Sequence, residues 1–262
     1  MVVILEGGCR VSQMHYGEPL AEGTLRIWRQ IGRATGAQAI SLRVMEFAPG
    51  LSPTIRNDDN DEILYVLDGE VSTTRGSGWV NLLLDGRSYK VRVDSGIYIR
   101  PHQTFSIDNP GPDSITIISS QCPDPDRAPA FVSTPASLPD STADLPSSIV
   151  RLADQRAQPT ADRWYRVLVD DEIGSAQATQ FVGSIPPGRA PDHFHEYEEV
   201  LFILKGEGRM WAGQTNTPVA PGSCIYLPKG QVHCVENTSE GELRLLGVFY
   251  PAGSPSVRYE AE

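Results

Sequence analysis

Residues 188–206 read GRAPDHFHEYEEVLFILKG, and residues 222–237 read GSCIYLPKGQVHCVEN. The first stretch sets His193 and His195 at i and i+2, with Glu199 four residues after the second histidine. In a β-strand, residues two apart share a face, so both imidazoles can reach one point. Glu199 opens the apolar run Val200–Leu204, where an unpaired carboxylate would be costly to bury. His233 follows a Pro-x-Gly turn at Pro228–Gly230, which can bring it back beside the other two. Three imidazoles and one carboxylate facing a common interior make a donor set for one divalent transition metal. Fe or Mn is favoured for such mixed ligation with open positions, and Zn, Ni and Co are compatible with it.

These spacings resemble the two motifs of the cupin superfamily. His-x-His, three residues, Glu, six residues, Gly is met at His193, His195, Glu199 and Gly206. Gly, five residues, Pro-x-Gly, two residues, His, three residues, Asn is met at Gly222, Pro228, Gly230, His233 and Asn237. One departure precedes the ligands: four residues, where five are usual, separate Gly188 from His193. The resemblance implies an all-β jelly-roll barrel with a metal held by His193, His195, Glu199 and His233. On an octahedral ion, two positions would stay open for substrate.

The chain of 262 residues is long enough for two such barrels, and its 24 Gly and 21 Pro suit a protein rich in turns. A diverged repeat supports this reading. The segment Glu62–Gly69 mirrors Glu199–Gly206, Pro49–Gly50 mirrors Pro187–Gly188, and Gly96–Asn109 mirrors Gly222–Asn237. Between the copies, residues 122–148 carry six prolines among Ser, Thr, Asp and Ala, a composition that reads as an extended connector. The expected organisation is therefore a degenerate cupin at 1–121, a Pro-rich connector at 122–148 and a metal-binding cupin at 149–262. In the first copy, counting back from Glu62 puts Arg56 and Asp58 where the paired histidines stand, with Glu62 expected to pair with Arg56. Phe105 or Ser106 replaces His233. The first copy also has a longer excursion after Gly69, read as an additional hairpin turning at Asp85–Gly86.

Val200–Leu204 and Ile63–Leu67 are apolar without alternation. If Glu199 points inward, parity sends Leu201 and Ile203 inward, and Val200, Phe202 and Leu204 outward. A strand apolar on both faces must be covered on both. The outer faces are expected to pack on each other or on a second subunit, and the resemblance implies a homodimer. Tyr197 and Tyr226 are candidates for a general acid or base, with Tyr197 expected inward by parity and Glu196 and Glu198 outward to solvent or an interface. Arg189 and Arg209 are candidates for contact with an anionic substrate, and no residue is assigned as catalytic.

A formal net charge of −11 argues against nucleic acid or a membrane surface as partner. Cys9, Cys122, Cys224 and Cys234 lack disulfide-framework spacing, and the N-terminal residues carry no signal-peptide pattern, so the expectation is a cytoplasmic protein with reduced thiols. The function expected is metal-dependent action on a small-molecule substrate in the second barrel, first as a dioxygenase-type oxidoreductase. Alternatives are a non-redox metal enzyme (isomerase, decarboxylase, lyase or aminohydrolase) and a metal-dependent binding protein. The two-copy layout is similar to the ureidoglycine aminohydrolase family, but the ligand set is the common cupin one.

Overall fold

A computed structural model describes residues 1–67, 78–136, 146–160, 162–256 and the backbone of 259–260. Among these there is no α-helix, only three short 3-10 turns between strands. The strands form four sheets, a large and a small one for each of two jelly-roll barrels. The first large sheet has seven strands and includes Leu25–Ile31, Leu42–Phe47, Asp61–Val66, Ser95–Ile99 and Ile115–Cys122. The second has eight and includes Arg163–Val169, Thr179–Ile185, Glu198–Lys205, Ser223–Leu227 and Leu243–Tyr250. Six-stranded sheets built around Thr104–Asn109 and His233–Asn237 close the two barrels.

The repeat recurs in the hydrogen bonds. Asn237 Nδ2 donates to Ile185 O at 2.9 Å and Gly241 O at 2.7 Å. Asn109 Nδ2 donates likewise to Phe47 O at 3.0 Å and Asp113 O at 2.7 Å. Asn237 lies opposite Gly188, and Asn109 opposite Gly50. Both glycines have φ near the values only glycine accepts readily, 122° and 101°. The motif asparagine thus ties a barrel corner in each copy.

The parity argument holds. Leu201 and Ile203 lie in the interior of the C-terminal barrel, and Leu64 and Val66 in that of the N-terminal one. Val200 and Phe202 instead join Ile63, Tyr65 and Leu67 in a third buried cluster between the barrels, with Leu204 packed against it. Each fully buried side chain of this size contributes about 1.5–3 kcal/mol. The covering that both runs require is supplied within the chain, so they carry no argument for a second copy.

Two strands cross the expected division at 121 and 148. Arg10–Gln13, in the N-terminal segment, pairs antiparallel with Ser223–Tyr226 of the C-terminal barrel. Ile149–Arg151 pairs with Ser95–Ile97 of the N-terminal barrel. Each large sheet therefore ends in an arm lent by the other half of the chain. The first part of the connector lies along the N-terminal barrel. Ala130–Val132 adds a strand against Thr54–Arg56, and Asp124 accepts two hydrogen bonds from Arg29 at 2.5 and 2.7 Å. Residues 137–145 of the connector lie outside the described residues.

The hairpin at Asp85–Gly86 is present, joining Trp79–Leu84 to Arg87–Arg92, with positive φ at both turn residues as a type I′ turn needs. It is not an addition to the barrel. Its first strand pairs with Thr104–Asn109 as Gly208–Ala212 pairs with His233–Asn237, so it is the standard hairpin of the small sheet. The start of the excursion, 68–77, lies outside the described residues.

Candidate metal centre

The two motif blocks meet in the C-terminal barrel. His193 lies directly opposite His233 across the strand pair, which fixes their side chains on one face. The turn after Pro228 is closed by Gln231 N–H donating to Pro228 O at 3.1 Å, with Gly230 at φ 75°. Gly230 N–H donates to His195 O at 2.8 Å, tying the second block to the first. The three imidazoles come together: ring centroids are 4.6 Å apart for His193 and His233, 4.9 Å for His193 and His195, and 5.2 Å for His195 and His233. One nitrogen from each lies within 4.8 Å of the others, the arrangement a single ion needs.

Backbone carbonyls set the tautomers. His193 Nδ1 sits 3.0 Å from Pro191 O, and His233 Nδ1 sits 2.8 Å from Gln231 O. A carbonyl can only accept, so in each ring Nδ1 carries the proton and Nε2 presents a lone pair. Burial, followed by the neighbouring His193, holds the His233 imidazolium down to about 3, so the ring is neutral and ready to donate. His195 is held by stacking: Tyr197 lies 4.6 Å away at 9° and stacks in turn on Phe249 at 4.3 Å. Tyr197 thus faces inward, as parity suggested, but as the support of an imidazole.

Glu199 lines the same cavity, with its carboxylate 3.8 Å from His195 Nε2. It stands at the edge of the histidine cluster, outside the group of mutually close donor atoms. Burial pushes its carboxyl up to about 8, and a cation beside it would favour the ionised form. A neutral His233 ring, two locked tautomers and a buried carboxylate together fit a divalent ion. The cavity above them measures about 110 Å³ and is walled by Phe181, Leu201 and Leu245, with Trp164 and Arg163 among its other lining residues.

The other candidate contacts lie elsewhere. Tyr226 donates its hydroxyl to Glu198, and Glu198 also accepts from the backbone N–H groups of Gln38 and Ala39, each at 2.7 Å. Both side chains belong to the seam between the barrels. Burial and the Glu198 carboxylate push the Tyr226 hydroxyl well up, which removes it as an acid. Arg189 pairs with Asp192 at 3.0 Å and covers Trp211, while Arg209 donates to Asn216 Oδ1 at 2.6 Å. Neither lines the cavity. Glu198 was missed as a functional group from sequence because its two backbone donors sit about 160 residues away.

The N-terminal barrel lacks a matching cluster among its described residues, but the substitutions differ from the count made on sequence. Phe105 pairs with Ile55 as His233 pairs with His193. Ile55 and Asn57 therefore stand where the histidines do, and Arg56 is exposed. One additional residue before Glu62 shifts the register by one. Glu62, fully buried, pairs with Arg43, not Arg56, and accepts from Ser119 Oγ at 2.9 Å. Asp58 is taken by Arg127 at 2.5 Å. The N-terminal barrel thus carries an internal guanidinium beside the glutamate that Glu199 mirrors.

Known proteins agree with this architecture. The cupin domain family profile matches residues 181–249. An uncharacterised protein of Aquifex aeolicus is 33% identical over 84 residues, which cover 31% of this chain and 69% of that one. The oxalate-binding protein of Thermotoga maritima is 35% identical over 67 residues, 25% of this chain and 55% of its own length. Over nearly the whole chain the fold resembles a mutant of Bacillus subtilis oxalate decarboxylase, with a TM-score of 0.74 at 13% identity, covering 95% of this chain and 78% of that one. With its paired jelly rolls and histidine cluster, the chain belongs to the cupin superfamily, as a two-barrel member.

Proposed function

We propose that the C-terminal barrel holds one divalent transition metal through His193, His195, His233 and Glu199, and acts on a small organic acid by dioxygenase-type chemistry. The observation that carries the reading is the cluster of three imidazoles, two in the tautomer that presents a lone pair, on a small and largely apolar cavity. When bound, Fe or Mn would supply a Lewis-acid centre and, for Fe, electron transfer with dioxygen. The chain's own residues orient and exclude. Pro191 O and Gln231 O aim two rings, Tyr197 and Phe249 brace the third, and Phe181, Leu201 and Leu245 keep water from the substrate's body.

The side chains best suited to move a proton are engaged elsewhere: Tyr226 and Glu198 with each other, and the Tyr165 hydroxyl with Gln158 Oε1 at 2.9 Å. This distribution favours redox chemistry at the metal over the non-redox metal alternative (isomerase, decarboxylase, lyase or aminohydrolase), which relies more on a placed acid or base. A second reading, a binding protein for a small dicarboxylate, is supported by the 35% identity to the oxalate-binding protein.

Oxygen uptake by Fe(II)-reconstituted, tag-free protein over a panel of small organic acids tests the first reading. Turnover that consumes no oxygen, or that proceeds with Zn(II) alone, would overturn it. Calorimetric binding of oxalate without any turnover would establish the second. Elemental analysis of His233→Ala should show loss of the metal, and full occupancy in that variant would refute the ligand set.

A further inference from the structure

A second cleft, of about 400 Å³, opens beside the N-terminal barrel and shares no lining residue with the histidine cavity. Four arginines line it: Arg10, Arg29, Arg43 and Arg127. Three are matched by carboxylates. Arg29 meets Asp124 and Asp126 at 2.5 and 3.1 Å, Arg43 meets Glu62, and Arg127 meets Asp58 at 2.5 Å. Arg10 has no carboxylate within ion-pair distance among the described residues, and its Nε is shielded from solvent without a hydrogen-bond partner. Among the described residues the one carboxylate lining the cleft, Glu18, is exposed.

The lent arm brings Arg10 to this place. Its neighbours Cys9 and Val11 turn into the C-terminal barrel, so alternation turns Arg10 the other way. Ser12 shares that face and donates to Gln30 Oε1 of the N-terminal barrel at 2.8 Å. The Arg10 Nε is left without a partner where water does not reach it, and an oxyanion would relieve it through charge-assisted, bidentate hydrogen bonds. The rim is apolar: Tyr16 and Leu20, 47% and 38% exposed, are among the chain's exposed large hydrophobic residues, and Ile27 lies within.

We propose that this cleft binds a small organic acid, its carboxylate on Arg10 and its apolar body against Tyr16, Leu20 and Ile27. The site stands independently of the metal reading. Benzoate is a suitable probe, titrated calorimetrically into His233→Ala so that the histidine cluster does not contribute. One equivalent should bind, and Arg10→Met in the same background should weaken binding by about tenfold or more. Leu20→Glu, on the exposed rim, should weaken it as well through repulsion and serves if Arg10→Met fails to fold. Unchanged affinity in a folded Arg10→Met or in Leu20→Glu, or no binding of benzoate by His233→Ala, would overturn the proposal. Tighter binding of inorganic phosphate than of benzoate would overturn the organic-acid assignment.

Discussion

Replacing Glu198 by alanine should loosen the two barrels from each other. The carboxylate is 7% exposed and accepts from Gln38 N–H, Ala39 N–H and the Tyr226 hydroxyl. Hydrogen bonds to a charged group contribute about 1.5–3 kcal/mol each, so three would sum to about 4.5–9 kcal/mol. Water can reach part of the gap, because Gln38 is exposed and Ala39 only partly buried. An expected loss of about 4 kcal/mol allows for that rehydration, and it corresponds to roughly 8–16 °C in melting temperature for a chain of this size. Tyr226→Phe, which leaves the two backbone donors in place, should cost about 1.5–3 kcal/mol. The double variant should cost less than the sum, since the hydroxyl contact is lost in either single variant. Scanning calorimetry of the four proteins measures all three quantities. A Glu198→Ala protein within about 1 kcal/mol of the parent, or strict additivity, would refute the clamp.

Arg43→Met should destabilise by about 3–5 kcal/mol, because it strands the fully buried Glu62. Chemical denaturation should show that adding Glu62→Met recovers most of that loss. Phe202→Ala, at the seam, should cost about 3–5 kcal/mol by leaving a cavity between the barrels, read from the shift of a urea midpoint. The Cys9 thiol, which burial pushes from 9.0 up to about 12, stays protonated in the fold while the unfolded chain ionises near 9.0. A raised folded value means that this contribution is complete below about pH 9 and is lost as pH rises toward about 12. Urea midpoints measured across that window should fall more steeply in the parent than in Cys9→Ala.

The alternation of Glu199 to Leu204 was legible because parity is a local property of an extended chain, and one inward carboxylate settles every neighbour. The histidine cluster was legible for a similar reason, since spacing along two short blocks encodes a common face. Three features were not. The register of Ile55 and Asn57 depends on one additional residue before Glu62, which shows only in the pairing of Phe105. The Arg43–Glu62 pair joins residues on separate strands, neither of which reads as incomplete alone. Arg10–Gln13 is too short to announce a partner 210 residues away. Glu198 was expected to turn outward to solvent or an interface; parity alone could not reveal that the interface was the other half of its own chain.

The exchanged arms have a consequence for synthesis. Arg10–Gln13 is translated before its pairing partner, Ser223–Tyr226, which follows 210 residues later. At ordinary elongation rates the interval is roughly 10–40 s. Through that time the arm waits as an open strand, with Cys9 and Val11 destined for a barrel not yet made. The N-terminal barrel in turn lacks its last strand until Ile149–Arg151 emerges. Neither half can finish alone, so the chain should close late and as a whole.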